Sequence, residues 1–250
     1  MMLSLYYSVL SILPVIFYIF LIYMTTPSTI NPKLILRNFF GGILGVGILL
    51  SIFRIFPGIQ DPISLNFVVF GSIDSLLIFS FLQIGLLEEL CKYAGFRTTK
   101  KYNISPIDIM IYCGITALGF SFIENITYLI KADLDIIFIR STLSMILHLS
   151  CGLIMGYFLA LSKLKHKVST PLDIIMLKFP KFRTRLYTFI GISCAMLIHG
   201  FYDFVNFVHD NSAQPFINTL MIITFAFILN LMLSRDIIKR MKENETLKED

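Results

Sequence analysis

Long apolar runs separated by short polar connections fill this 250-residue chain. A helix needs about 20 apolar residues to cross a bilayer's hydrocarbon core. Seven runs reach or approach that length: 3–24, 34–56, 75–97, 106–130, 136–160, 186–208 and 216–234. Pro27, Pro32, Pro57, Pro62, Pro106, Pro171, Pro180 and Pro215 fall in or close to the connections, as expected of a residue that opens or ends helices. Pro14 lies inside the first run and predicts a kink there. The segment 63–73 is apolar but short, and reads as a re-entrant piece or an extension of the third span. Met1 to Tyr23 carries no Lys or Arg. A secretory signal needs a positive n-region and a small-residue cleavage site, so this is expected to be a retained first span.

Charge supports the same division. Lys and Arg less Asp and Glu give +2 for residues 25–38, +4 for 92–105, +6 for 162–185 and +3 for 235–242. The intervening connections give −2 for 57–74, −1 for 131–135 and −1 for 209–215. Every second connection is basic, which the positive-inside rule reads as an outside N-terminus and a cytoplasmic C-terminus. The expected fold class is therefore all-α: a polytopic transmembrane helix bundle of about seven spans in the cell membrane. One integral membrane domain is expected over 1–242, and the polar tail 243–250 is expected to be disordered and cytoplasmic. Residues 171–180 are expected to lie on the membrane surface or in an ordered loop.

Composition excludes other classes. The chain is 56% hydrophobic and 15% charged, whereas soluble domains are nearer a quarter charged. Its net charge of +5 is accounted for by topology. There is no zinc-finger spacing and no basic stripe among aromatics, so nucleic acid is not an expected partner. Cys91, Cys113, Cys151 and Cys194 lie in or beside apolar runs at no paired spacing and read as small buried hydrophobes. Gly41 with Gly45, and Gly152 with Gly156, form G-x-x-x-G steps that permit close helix packing in lipid.

Against this background the polar groups inside the runs carry the chemistry. Glu88 and Glu89 end the apolar stretch Leu76 to Leu87, with Lys92 four residues after Glu88. Glu124 and Asn125, then His148, then His199 with Asp203 occur in later runs. Ionisable groups within membrane segments are costly and mark functional sites. Glu88 and Lys92 share a helix face, so an i,i+4 ion pair is available. Glu89 points about 100° away by helix geometry, which leaves one carboxylate held by Lys92 and the other free to act as a general base. Asp203, one turn after His199, is placed to fix its tautomer or to share its water, proton or metal. His166 and His209 fall at loops and read as exposed residues. Counting residues from the outer ends puts Glu88, Glu89, His148 and His199 at similar depth, with Glu124 shallower.

A carboxylate and a histidine around one water can activate it for attack on a peptide carbonyl, with Asn125 or a second histidine stabilising the oxyanion. Two histidines and carboxylates can equally hold Zn²⁺. H-E-x-x-H and G-x-S-x-G are both absent. A proton- or ion-coupled transporter would use the same residues as a relay, but it predicts an inverted repeat, and no two halves resemble each other. A scaffold gives no reason for polar groups in four separate runs.

Four pieces taken together resemble the PrsW family of intramembrane proteases, relatives of the CAAX-processing and bacteriocin-processing membrane endopeptidases. They are Glu88-Glu89-x-x-Lys92, Gly119-Phe120-x-x-x-Glu124-Asn125-x-x-Tyr128, His148-x-x-x-Gly152-x-x-x-Gly156 and His199-Gly200-x-x-Asp203. The resemblance covers about residues 75–210. It implies a multi-pass peptidase acting on single-span membrane proteins, the best-known members making the first, site-1 cut in an anti-sigma factor. Its members have been described both as metalloproteases and as glutamic-type proteases. By this match Glu88 or Glu89 is the expected general base, and Lys92 fixes whichever carboxylate shares its face. His148 and His199 position water or stabilise the oxyanion, Asp203 orients His199, and Glu124 with Asn125 completes the pocket. Any Zn²⁺ is expected to take both histidines and at least one glutamate.

Overall fold

Proline and capping residues set the helix starts. Asn31 accepts a hydrogen bond from the Lys33 backbone N–H at 2.9 Å, and Pro32 opens the helix behind it. That is the N-terminal chemistry a helix needs for its unpaired amides. Pro106 and Pro180 likewise open theirs. The computed structural model describes residues 2–25, 30–56, 72–99, 102, 104–129, 140–164, 175, 178–208 and 214–249. Among these, all regular structure is helical.

Helix α1 is Met2–Thr25 and α2 is Pro32–Ile55. Helix α3, Ile73–Ile78, passes without a break into a π-helical stretch, π1 (Phe79–Leu86), and then into α4 (Leu87–Arg97). Helix α5 is Pro106–Leu129. A second π-helical stretch, π2 (Arg140–Ser144), leads into α6 (Met145–Leu161). Helices α7 (Pro180–Val208) and α8 (Gln214–Glu249) complete the order. Pro14 falls inside α1 without ending it.

Five described helical segments are long and apolar enough to cross a membrane: Pro32–Ile55, Pro106–Thr127, Thr142–Leu161, Pro180–Val208 and Ile217–Glu243. Ile12–Met24 is a shorter apolar piece. The rod from Ile73 to Arg97 falls outside that set because it carries Asp74, Glu88, Glu89, Lys92 and Arg97. The all-helical, multi-pass membrane fold therefore stands. The expected surface segment 171–180 is described only at residues 175 and 178–180, and 63–71 lie outside the described residues. Helix α8 runs on to Glu249, through residues whose composition suggested disorder. Strong helix formers and the Lys239–Glu243 pair at 3.8 Å favour that continuation.

Helices α5 and α6 form the centre. In each, 78% of the apolar window is buried, against 28–33% in α2, α7 and α8. A helix apolar on all sides belongs inside a bundle, while one with an outward apolar face meets lipid. The central pair packs through the expected small-residue step. A Cβ on Gly152 would stand 2.7 Å from the Cys113 carbonyl oxygen, and one on Gly156 would stand 2.6 Å from the Met110 Cα. Gly41 and Gly45 do the same for α2 against α4, meeting the carbonyls of Gly95 and Cys91. A buried polar knot adds to this contact. The Asn38 side-chain oxygen accepts from the hydroxyls of Thr99 and Thr116, and its amide nitrogen donates to the Leu34 carbonyl. Every polar atom of Asn38 is thus satisfied, as burial demands.

Candidate active site

The position of Glu88 and Glu89 is set by the segment before them. Stretch π1 packs on α7, and the crossing relies on two glycines. A Cβ on Gly85 would lie 3.0 Å from the Met196 carbonyl oxygen, and one on Gly200 would lie 2.9 Å from the Phe81 Cα. This approach brings the first turn of α4, with Glu88 and Glu89, against His199, the residue before Gly200. π-Helical turns concentrate at functional sites because they re-aim the residues that follow. Here π1 leads to the carboxylates and π2 ends four residues before His148.

The expected carboxylates, histidines and lysine meet in one cluster. Lys92 Nζ lies 2.7 Å from Glu89 Oε1, 3.4 Å from Glu88 Oε2 and 2.8 Å from His148 Nδ1. His148 Nε2 is 2.8 Å from Glu124 Oε2. His199 Nδ1 is 3.0 Å from Glu89 Oε1, and its Nε2 faces Glu88 Oε2 at 3.7 Å and Asp203 Oδ2 at 3.5 Å. The two imidazole rings sit edge to face, with centroids 4.8 Å apart. Glu89 is 0% exposed, His148 1%, Lys92 2%, and Glu88 and His199 3%. Only Asp203, whose side chain is 16% exposed, reaches toward the edge.

Three details differ from the sequence expectation. Lys92 holds Glu89, its i,i+3 partner, more closely than Glu88. Carboxylates at i−4 and i−3 straddle the lysine, because both spacings are neighbours on a helix. It is Glu89, rather than Asp203, that receives the His199 Nδ1 proton. A carboxylate only accepts, so Nδ1 donates and the Nε2 edge is turned toward Glu88 and Asp203. Glu124 is no shallower than the rest, since its carboxylate reaches His148. Residue counting errs by about a turn, and a glutamate side chain spans much of that.

Asn125 is 1% exposed and buried beside Glu124 in sequence, but neither amide atom has a hydrogen-bond partner. The described side chains do not join it to the cluster. One member was missed. The Phe120 ring lies 4.6 Å beneath Lys92 Nζ and 6.2 Å from the His148 ring centroid. A cation over an aromatic face is attracted to it. Its i,i+4 spacing to Glu124 was the available signal.

Metal-holding chemistry can be tested on these atoms. One atom each from Glu88, His148 and His199 lie within 4.8 Å of one another. One carboxylate and two imidazoles make a donor set suited to zinc. The cluster holds four carboxylates and one ammonium, with two of the carboxylates in contact with it, an excess of negative groups that an added cation would offset. The Glu89–His199 hydrogen bond has the form of the carboxylate support that orients a ligating histidine. The donor set fits.

Fold and site together define a multi-pass membrane protein with a buried carboxylate–imidazole–ammonium centre. Residues 32–232 match the model of the PrsW family intramembrane metalloprotease. The chain is 30% identical over 227 residues to the protease PrsW of Oceanobacillus iheyensis, covering 89% of this chain and 90% of that protein. It is 27% identical over 203 residues to the protease PrsW of Clostridioides difficile, covering 78% and 77%. For the protease PrsW of Bacillus subtilis the figures are 30% over 129 residues, 50% and 53%. No solved structure matches the chain significantly. The chain belongs to the PrsW family, and it is a membrane-embedded endopeptidase. Membership displaces the ion-coupled transporter that similar buried carboxylates would also suit.

Proposed function

We propose that the cluster is the hydrolytic centre and that Glu88 is its general base. The observation that carries this reading is the convergence of Glu88, His148 and His199, from three separate helices, in one buried site. Glu89 is tied by Lys92 and by His199 Nδ1, so its role is to position them. Glu88 has only the longer Lys92 and His199 contacts. Its carboxylate is therefore the less tightly held of the two and the one suited to take a proton from water and return it to the leaving amine. His199, with Nδ1 fixed by Glu89, presents Nε2 to the water or the oxyanion. Asp203 stands behind that nitrogen. Glu124 fixes the His148 ring, and Asn125 offers an unpaired donor and acceptor for a peptide unit. Zn²⁺ held by Glu88, His148 and His199 would add Lewis-acid polarisation of water or carbonyl.

The substrate class is a single-span membrane protein, with site-1 cleavage of an anti-sigma factor as the specific form. The substrate helix must unwind locally, because a helical backbone shields its carbonyls. Seven spans, an outside N-terminus, a domain over 1–242 and a cytoplasmic tail complete this reading, supported by the alternating charge of the connections.

Purified wild type, Glu88→Gln and His199→Ala should be incubated in detergent micelles with a panel of single-span membrane proteins. Wild type is expected to cut at least one, and both variants to leave it intact. Cleavage by the variants at the wild-type rate would contradict the assignment.

A further inference from the structure

We infer that the Lys92 ammonium and a divalent metal ion are alternative occupants of one cage, so that Lys92 weakens the site's hold on metal. This rests on reading Glu88, His148 and His199 as the metal-holding set. Lys92 touches two of those three residues, at 2.8 Å from His148 Nδ1 and 3.4 Å from Glu88 Oε2. It is fully buried over the Phe120 ring.

The exclusion follows from hydrogen positions. An ammonium only donates, so His148 Nδ1 must accept. A neutral imidazole has one accepting nitrogen, so the proton is then on Nε2, the nitrogen that lies 2.8 Å from Glu124 Oε2. Ligation needs a free lone pair. If a metal takes Nδ1, Lys92 is displaced from it. If a metal takes Nε2, the proton moves to Nδ1 and opposes the Lys92 N–H groups. Either mode breaks the Lys92–His148 bond. His199 differs, because its Nδ1 already donates to Glu89 and leaves Nε2 facing Glu88. One histidine is thus set for metal and the other is held by a cation belonging to the chain. The flexible four-carbon stem of lysine allows withdrawal.

Zn²⁺ binding to the full-length protein in detergent should be measured by competition with a chromogenic chelator. The samples are wild type, Lys92→Met and the charge-balanced pair Glu89→Gln with Lys92→Met. His148→Ala and His199→Ala would be made in each background. The pair guards against misfolding, since it removes one carboxylate with the ammonium, and the glutamine carbonyl still accepts from His199. Loss of Lys92 is expected to tighten Zn²⁺ binding at least tenfold, and each histidine substitution to weaken it. Unchanged binding in the histidine variants would overturn the metal-holding set itself. Weaker binding there, with no tightening on loss of Lys92, would overturn this inference alone. A zinc-loaded wild-type structure gives a second test. Lys92 Nζ must have left His148, and a retained 2.8 Å contact to a metal-bound His148 would refute the exclusion.

Discussion

Glu88 and Glu89 are adjacent in sequence and differ in their contacts. Glu89 Oε1 receives both Lys92 and His199, while Glu88 has only the longer contacts to each. Glu88→Gln should lower turnover by about 10²–10⁴-fold, the usual loss on removing a general base. Glu89→Gln should cost about 10–100-fold, as expected of a group that orients another. A single-turnover assay on one cut substrate separates the two, and equal losses would contradict the division of roles. Lys92→Ala leaves buried carboxylates unpaired and should destabilise the fold by about 3–5 kcal/mol, read by thermal unfolding in detergent. The residue types of the site were legible in the sequence, because charges inside apolar runs have few structural uses. Which carboxylate Lys92 would hold was not legible, since i,i+3 and i,i+4 partners compete on distances that only packing sets.

At the scale of elements, the site depends on how closely helices approach. Gly200 lets π1 lie against α7, and a Cβ there would meet Phe81 backbone and ring at 2.9 Å or less. Gly47, also in a helix, has nothing within 4 Å. Gly200→Ala should therefore force π1 away from His199 and reduce both melting temperature and cleavage. Gly47→Ala should stabilise α2 by about 0.5–1 kcal/mol through helix propensity. Comparing melting curves of the two variants checks this, and a neutral Gly200→Ala would count against the close crossing. The G-x-x-x-G steps on α2 and α6 were readable as packing devices. The π1 and π2 stretches were not, because an i→i+5 ladder leaves no mark in hydrophobic periodicity.

Across the whole molecule, the buried pair α5 and α6 is surrounded by helices with apolar outward faces. The fold class was legible from run length alone. The number of spans was harder to read, since the rod that carries the site holds more charge than the five helices that are plainly long and apolar enough to cross. Lys92 shows why. It was counted with a basic connection, yet it is 2% exposed at the centre of the site. Its removal from that count leaves the connection still basic at +3 (Arg97, Lys100 and Lys101), so the proposed orientation survives. Reporter fusions at residues 60, 100, 133, 168, 211 and 250 should then alternate outside and inside, with 100, 168 and 250 cytoplasmic. Residues 60 and 100 on the same side would contradict seven spans.

The central claim is that Glu88 drives peptide-bond hydrolysis in the membrane. The most direct measurement is a mass-spectrometric inventory of new protein N-termini in membranes from cells making wild type or Glu88→Gln at equal level. The account predicts termini within or beside the spans of single-span proteins that appear with wild type and vanish with the variant. The same termini at the same abundance in both samples would contradict it.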